Sequence, residues 1–350
     1  LPFLSNAVFS EAVKKKIFWI GYSRLHFSVA ACLASFAPDA HQGLVLLAKT
    51  DRFLDPQFEG FKVFRTSSKR FILITLYAIF TRSQVWACGI SPNTTTSAEL
   101  YCFRLLGFLK KLYFYDDGLA GCISDTYVWR HTRSILPKST GSITWDYTAF
   151  SKEFRHAPTK IPLKYLKALD HLKLIPATDS QDNDKPNTIV FIEAQACDQG
   201  RLFDHFLSNV SNHDRAFYFP HLGKNSVFST YTSERLRLDE YNKSSHSIDI
   251  HGDVGSLEAA LISMIESSAS VDIYCGCTST LLLVLAYFQA YPTECRLRIF
   301  VSPSSTNVMN GKASQSKGFY DYLNDVYSPS FSFIFLLDYP ARSAQGRLAA

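Results

Sequence analysis

One rhythm constrains this chain more than any other feature, and it runs through the sequence twice. A short apolar run ends in a turn, and a longer segment with apolar residues at helical spacing follows. In the first half, residues 16–22 (KIFWIGY), 44–48, 61–64, 84–90 (QVWACGI) and 112–115 read as strands. Residues 27–36 and 96–110 read as helices, the second carrying Ala98, Cys102, Leu105, Leu106 and Leu109 on one face. The second half restarts the pattern. Strands are expected at 187–193, 215–219, 247–250, 271–275 and 296–301, with helices at 201–210, 256–267 and 279–291. Strands that alternate with helices build a doubly wound parallel sheet, so the fold class is α/β with two Rossmann-like domains.

The two halves are separated by a region of different character. Residues 134–186 hold five prolines (Pro137, Pro158, Pro162, Pro176 and Pro186) and the polar run 178–185, TDSQDNDK. The expected division is a domain over 1–150, a connection over 151–186 with a helical piece at 163–173, and a second domain over 187–350. At 350 residues, with 47% hydrophobic and 19% charged side chains, the chain can fill two cores. The apolar run 71–80 (FILITLYAIF) has ten residues, whereas a spanning helix needs about 20, so a core helix is expected there. The eight cysteines lie mostly inside apolar runs and read as buried thiols. Cys275-Gly276-Cys277 lacks a second ligand pair, which argues against zinc. A net charge of +5 suits a phosphate-bearing ligand or an anionic membrane face, and no nucleic-acid-binding motif accompanies it.

In open parallel sheets, ligands bind beyond the carboxyl ends of the strands. Three motifs fall there. Tyr113-Phe114-Tyr115-Asp116-Asp117-Gly118 ends a strand in two carboxylates and a glycine that permits a sharp turn. Adjacent acids repel, which raises the pKa of one and suits it to act as a base. Consecutive residues leave a strand on opposite faces, which disfavours shared metal chelation. The same residues would also make an ordinary surface turn. Phe217-Tyr218-Phe219-Pro220-His221-Leu222-Gly223-Lys224 ends another strand in a histidine and a lysine, which could hold a phosphate or occupy a plain turn. Gly276-Cys277-Thr278-Ser279-Thr280 leads from a strand into an apolar helix. Hydroxyls and backbone N–H groups at such a start either bind a phosphate or simply cap the helix. A fourth candidate is Glu258, in the first turn of the 256–267 helix, which would hold a ribose diol or complement the helix dipole.

In this order, the motifs resemble those of the bacterial sialyltransferases: D/E-D/E-G, then HP, then S-S/T. The resemblance implies the GT-B arrangement, two Rossmann-like domains facing across a cleft. It implies an inverting, metal-independent glycosyltransferase with no cofactor, whose donor is a CMP-sugar and whose acceptor is a glycan or glycolipid. Asp117 or Asp116 would be the base, with Gly118 shaping its loop. His221 and Lys224 would face the CMP phosphate, with Ser279 and Thr280 (or Thr278 and Ser279) beside Gly276, and Glu258 would face the ribose. Here His221 follows Pro220 where the family has His before Pro, so Kdo or another nonulosonic acid remains open as the donor sugar. The other readings are a GT-B enzyme using a UDP- or GDP-sugar and a relative that binds nucleotide or sugar without turnover. The expected location is cytoplasmic. Lys14-Lys15-Lys16 would suit a peripheral contact with an anionic inner membrane, although a solvated terminus is the commoner role of such a run.

Overall fold

A computed structural model gives the structure of the chain. It describes residues 16–21, 30, 33, 41–46, 61–65, 71–88, 108, 112–115, 141–145, 159–169, 185–193, 200–220, 238, 241–242, 248–250, 257–276, 278–301, 323, 326–327 and 330–335. By compactness these fall into two units. The first takes Leu1–Thr178, Asp253–Ser263 and Ser279–Tyr291, and the second takes Asp179–Gly252, Met264–Thr278 and Pro292–Ala350.

The first unit holds a seven-stranded parallel sheet. Its strands are β1 (Lys16–Gly21), β2 (His41–Leu46), β3 (Phe61–Arg65), β4 (Gln84–Cys88), β5 (Leu112–Tyr115), β6 (Gly141–Trp145) and β7 (Thr159–Ile161). They lie in the order β3-β2-β1-β4-β5-β6-β7. A parallel sheet is covered on both faces, so its central strands must be apolar on both. Ile17, Phe18, Trp19 and Ile20 of β1 are accordingly all buried. Register aligns Trp19 with Trp86, and Trp86 with Tyr113. The three rings form a stack across β1, β4 and β5, at 5.2 and 4.5 Å between centroids. Such offset aromatic pairs add about 0.5–1.5 kcal/mol each beyond their buried area, and they fix the height of β5 in the sheet.

The second sheet contains β8 (Asn187–Ile192), β9 (Arg215–Phe219), β10 (Asp249–Ile250), β11 (Ser270–Cys275), β12 (Arg296–Val301) and β13 (Ser332–Phe335), in the order β10-β9-β8-β11-β12-β13, again all parallel. In each sheet the strand order reverses beside the first strand of the unit: between β1 and β4 in one, between β8 and β11 in the other. That reversal defines a doubly wound sheet and opens a crevice at the carboxyl ends. The α/β, twice Rossmann-like reading of the sequence holds.

Four α-helices have full bounds among the described residues: α1 (Phe71–Phe80), α2 (Gly200–Asn209), α3 (Leu257–Glu266) and α4 (Ser279–Ala290). Helix α2 places Leu202, Phe203 and Phe206 against Ile189, Phe191, Tyr218 and Tyr274 of the second sheet. Helix α4 is buried on every side over 280–288, as a helix apolar all round must be. The expected helix at 163–173 is a 3₁₀ helix over Leu163–Leu169, which packs on α4 within the first unit.

The boundaries differ from expectation in instructive places. Strand β2 begins at His41 because Lys16 and Ile17 of β1 pair with His41 and Gln42, polar residues that an apolar pattern passes over. Strand β7 lies between Pro158 and Pro162, inside the stretch read as a connection. It is the edge of its sheet, where prolines are tolerated. Helix α1 is helical as expected but is not a core helix. Ile72, Leu73, Tyr77 and Phe80 are exposed, while Thr75 and Ala78 are buried.

Candidate functional site

Strand β5 ends at Tyr115, so Asp116 is the next residue after a carboxyl end. The stacked ring of Tyr113 anchors that end. Asp116, Asp117 and Gly118 themselves lie outside the described residues, as do His221 and Lys224. For the histidine segment the structure describes the approach. Strand β9 ends at Phe219, and the half-buried Pro220 follows.

The β11–α4 junction is described more fully. Strand β11 is buried along its whole length and stops at Cys275. The chain then passes through buried Gly276 and half-buried Thr278 into α4, whose first residue is Ser279. The side chain of Ser279 lies outside the described residues.

Two candidates that the sequence separates by 22 residues meet here. Thr280 Oγ1 donates to Glu258 Oε1 at 2.6 Å. Both side chains are nearly dry, at 3% exposure for Glu258 and 7% for Thr280. A short bond to a buried carboxylate is charge-assisted and holds both rotamers. Glu258 was expected at a ribose and Thr280 at a phosphate. In this geometry the Thr280 proton is committed to Glu258. An anion at the start of α4 would therefore draw on backbone N–H groups of the first turn and on the neighbouring hydroxyls.

A further acid stands at a carboxyl end. Glu193 follows β8, the strand beside β11 across the point of order reversal. Tyr218 Oη donates to its Oε2 at 3.2 Å, and its backbone N–H donates to the Phe219 carbonyl at 3.0 Å. Its position as the last residue of the 187–193 run was the signal for it. Among the described residues, no group of three or more His, Cys, Asp or Glu could hold a metal ion.

Among the described residues of the second unit, an ion-paired cluster lies elsewhere, within the strands. Asp272 sits mid-strand in β11, 2% exposed, directly opposite Arg298 of β12. Arg298 Nε and Nη2 both donate to its carboxylate, and His213 Nε2 approaches Oδ2 at 3.1 Å. His213 Nδ1 faces the Asn209 carbonyl at 2.9 Å. Both ring nitrogens thus face acceptors, a geometry that only the imidazolium satisfies fully. The bond to Asp272 accordingly raises His213 above its ordinary pKa, against the opposing effect of burial. Burial pushes Asp272 up, but the bonds from His213 and Arg298 outweigh it and hold the carboxyl below its usual range. Tyr274, two residues on, stacks on Phe300 at 4.3 Å, and burial pushes its phenol up. An aspartate inside an apolar strand was the sequence signal for this cluster, since unpaired acids are almost never fully buried.

No family model and no curated protein matches the chain. Among solved structures it is similar to MurG of Acinetobacter baumannii, with 9% identity, a TM-score of 0.46 and coverage of 92% of this chain and 85% of that one. It is also similar to sucrose-phosphate synthase of Thermosynechococcus elongatus, with 11% identity, a TM-score of 0.47 and coverage of 90% and 95%. A glycosyltransferase of Rickettsia africae is similar at 12% identity, a TM-score of 0.42 and coverage of 89% of each chain. The fold class rests on the two strand orders.

Proposed function

We propose that the chain is an inverting, metal-independent glycosyltransferase that moves sialic acid or a related nonulosonic acid from a CMP-sugar to a glycan hydroxyl. One observation carries the reading. The acidic motif and the hydroxyl motif each directly follow the carboxyl end of a strand in a doubly wound parallel sheet, β5 in one unit and β11 in the other. That is where such sheets bind ligands.

In this mechanism Asp117 takes the proton of the acceptor hydroxyl as its oxygen attacks the anomeric carbon. The bond from that carbon to the CMP phosphate breaks, and CMP leaves with the electron pair. His221, Lys224 and the β11–α4 turn would hold the phosphate. Asp116 and Gly118 set the direction of the base. A single displacement inverts the anomeric centre. CMP leaves one phosphate, so no pyrophosphate has to be neutralised. Glu258, locked by Thr280, fixes the start of α4. The reaction would run at the cytoplasmic side, on a glycan or glycolipid acceptor.

The test begins with thermal shift against CMP, UDP and GDP. A shift with CMP alone supports the donor class, and a shift with UDP or GDP alone favours the other GT-B reading. Asp117→Ala should then retain CMP binding and lose transfer and donor hydrolysis by at least about a hundredfold. Turnover at the wild-type rate in that variant would remove Asp117 from the base position. CMP binding without transfer in the wild type would indicate a non-catalytic relative.

A further inference from the structure

Helix α1 is apolar nearly all round, yet a wide arc of it faces outward. At about 100° per residue, Ile72, Leu76, Phe80, Leu73 and Tyr77 occupy one continuous arc of about 140°. Every residue in that arc is apolar or aromatic, and only Leu76 is half-buried. Phe80 is 83% exposed and Leu73 64%. The opposite side, turned to the protein, carries buried Thr75 and Ala78, with Ile79 half-buried. An ordinary surface helix buries its apolar stripe and exposes its polar one.

The charged residues described beside the helix are cations. Lys16 Nζ donates to Tyr77 Oη at 3.1 Å and lies 5.2 Å from its ring centre. Arg82 follows the helix, is exposed, and turns the chain with φ of 52°. In sequence, Lys69 and Arg70 precede the helix directly, and Lys14 and Lys15 precede Lys16. Residues 60–98 contain five cations (Lys62, Arg65, Lys69, Arg70 and Arg82) and not one Asp or Glu.

We infer that the exposed face of α1 is a docking surface for an anionic lipid membrane, with the helix lying in the headgroup plane. Apolar side chains flanked by Lys and Arg are what such an interface takes. Helix α1 has ten residues, and among the described residues no helix is long and apolar enough to cross a membrane. A contact along the surface is the mode this length allows. Charge also selects against a second copy of the chain. Two such faces related by a two-fold axis would bring the same cations together. Tyr77, with its ring on the apolar arc and its hydroxyl on Lys16, has the amphipathic form found at headgroup level.

The experiment is co-sedimentation of the full chain with phosphatidylcholine vesicles, with and without phosphatidylglycerol. It needs no donor sugar, so its outcome is independent of the proposed reaction. The expected result is binding to the anionic vesicles, weakened by salt and by omission of phosphatidylglycerol. The L73D/F80D variant changes only exposed positions and should keep its circular dichroism while its partition falls by more than about tenfold. A second variant, K69Q/R70Q/R82Q, should lose roughly fivefold per cation. Three results would overturn the inference. The wild type could stay in the supernatant with anionic vesicles. L73D/F80D could pellet as the wild type does. Or the face could hold a dimer or a protein partner that L73D/F80D releases, with no vesicle binding in any variant.

Discussion

Removing the carboxylate of Asp272 should loosen the second sheet in a pH-dependent way. In Asp272→Ala, two partners lose their acceptor. Arg298 has 40% of its side chain exposed and can turn to water, so its share is about 0–1 kcal/mol. His213 has 6% of its side chain exposed, and its lost charge-assisted bond should cost about 1.5–3 kcal/mol. The sum is about 1.5–4 kcal/mol. The sign of the pH dependence follows from the two shifts. The folded pKa of His213 is raised, so its contribution is complete below the ordinary value of 6.5 and is lost as pH rises through the folded value. The folded pKa of Asp272 is lowered, so its contribution is present above the ordinary value of 3.8 and is lost as pH falls through the folded value. The cluster is therefore strongest between those two ordinary values. All four tryptophans (Trp19, Trp86, Trp129 and Trp145) precede residue 179, so fluorescence would report the first unit. Amide hydrogen exchange of the β8, β11 and β12 peptides is the suitable assay, with wild type and variant compared at each pH. At pH near 6 the variant should exchange roughly ten- to a thousandfold faster, and the gap should narrow well above that pH. Equal protection near pH 6, or a loss identical at both pH values, would refute the assignment of His213 as the charged partner.

Two further outcomes are expected. Thr280→Val keeps the volume and removes the donor to Glu258, so it should cost about 1.5–3 kcal/mol while Thr280→Ser costs less; equal unfolding temperatures for the two would show that the bond contributes nothing. Burial pushes the Cys295 thiol up to about 11, so iodoacetamide at pH 8 should label it slowly in the native protein and rapidly in urea, and fast native labelling in a peptide map would contradict its burial.

The strands that the sequence announces best are those buried on both faces. β1, β4, β8, β11 and β12 are apolar over most of their length, and the run itself is the signal. Strands β6, β7 and β13 were not anticipated. They are short and flanked by Gly, Ser or Pro, and pairing to a neighbour rather than composition makes them strands. The same limit applies at the site. Glu258 and Thr280 were each legible as helix-start residues, but their contact was not. It depends on how α3 and α4 pack, which no local pattern encodes. The Asp272 cluster went unread for a related reason. Its members stand 59 and 26 residues from Asp272, and only strand register and the end of α2 bring them together. Helix α1 shows the converse error. Its apolar composition predicts a core helix, whereas the fold leaves Ile72, Leu73, Tyr77 and Phe80 exposed.

The all-round burial of α4 bears on how the gene could be cut. By sequence this helix belongs with the carboxyl-terminal half, between β11 and β12. In the folded chain it groups with the amino-terminal unit and rests on the 3₁₀ turn at Leu163–Leu169. A fragment beginning at residue 187 would carry α4 without that turn. The two halves are therefore not interchangeable modules. Swapping the carboxyl-terminal half between relatives would have to carry the 163–169 turn with it, and any folding intermediate that completes the second sheet first must hold a leucine-rich helix that still lacks this turn.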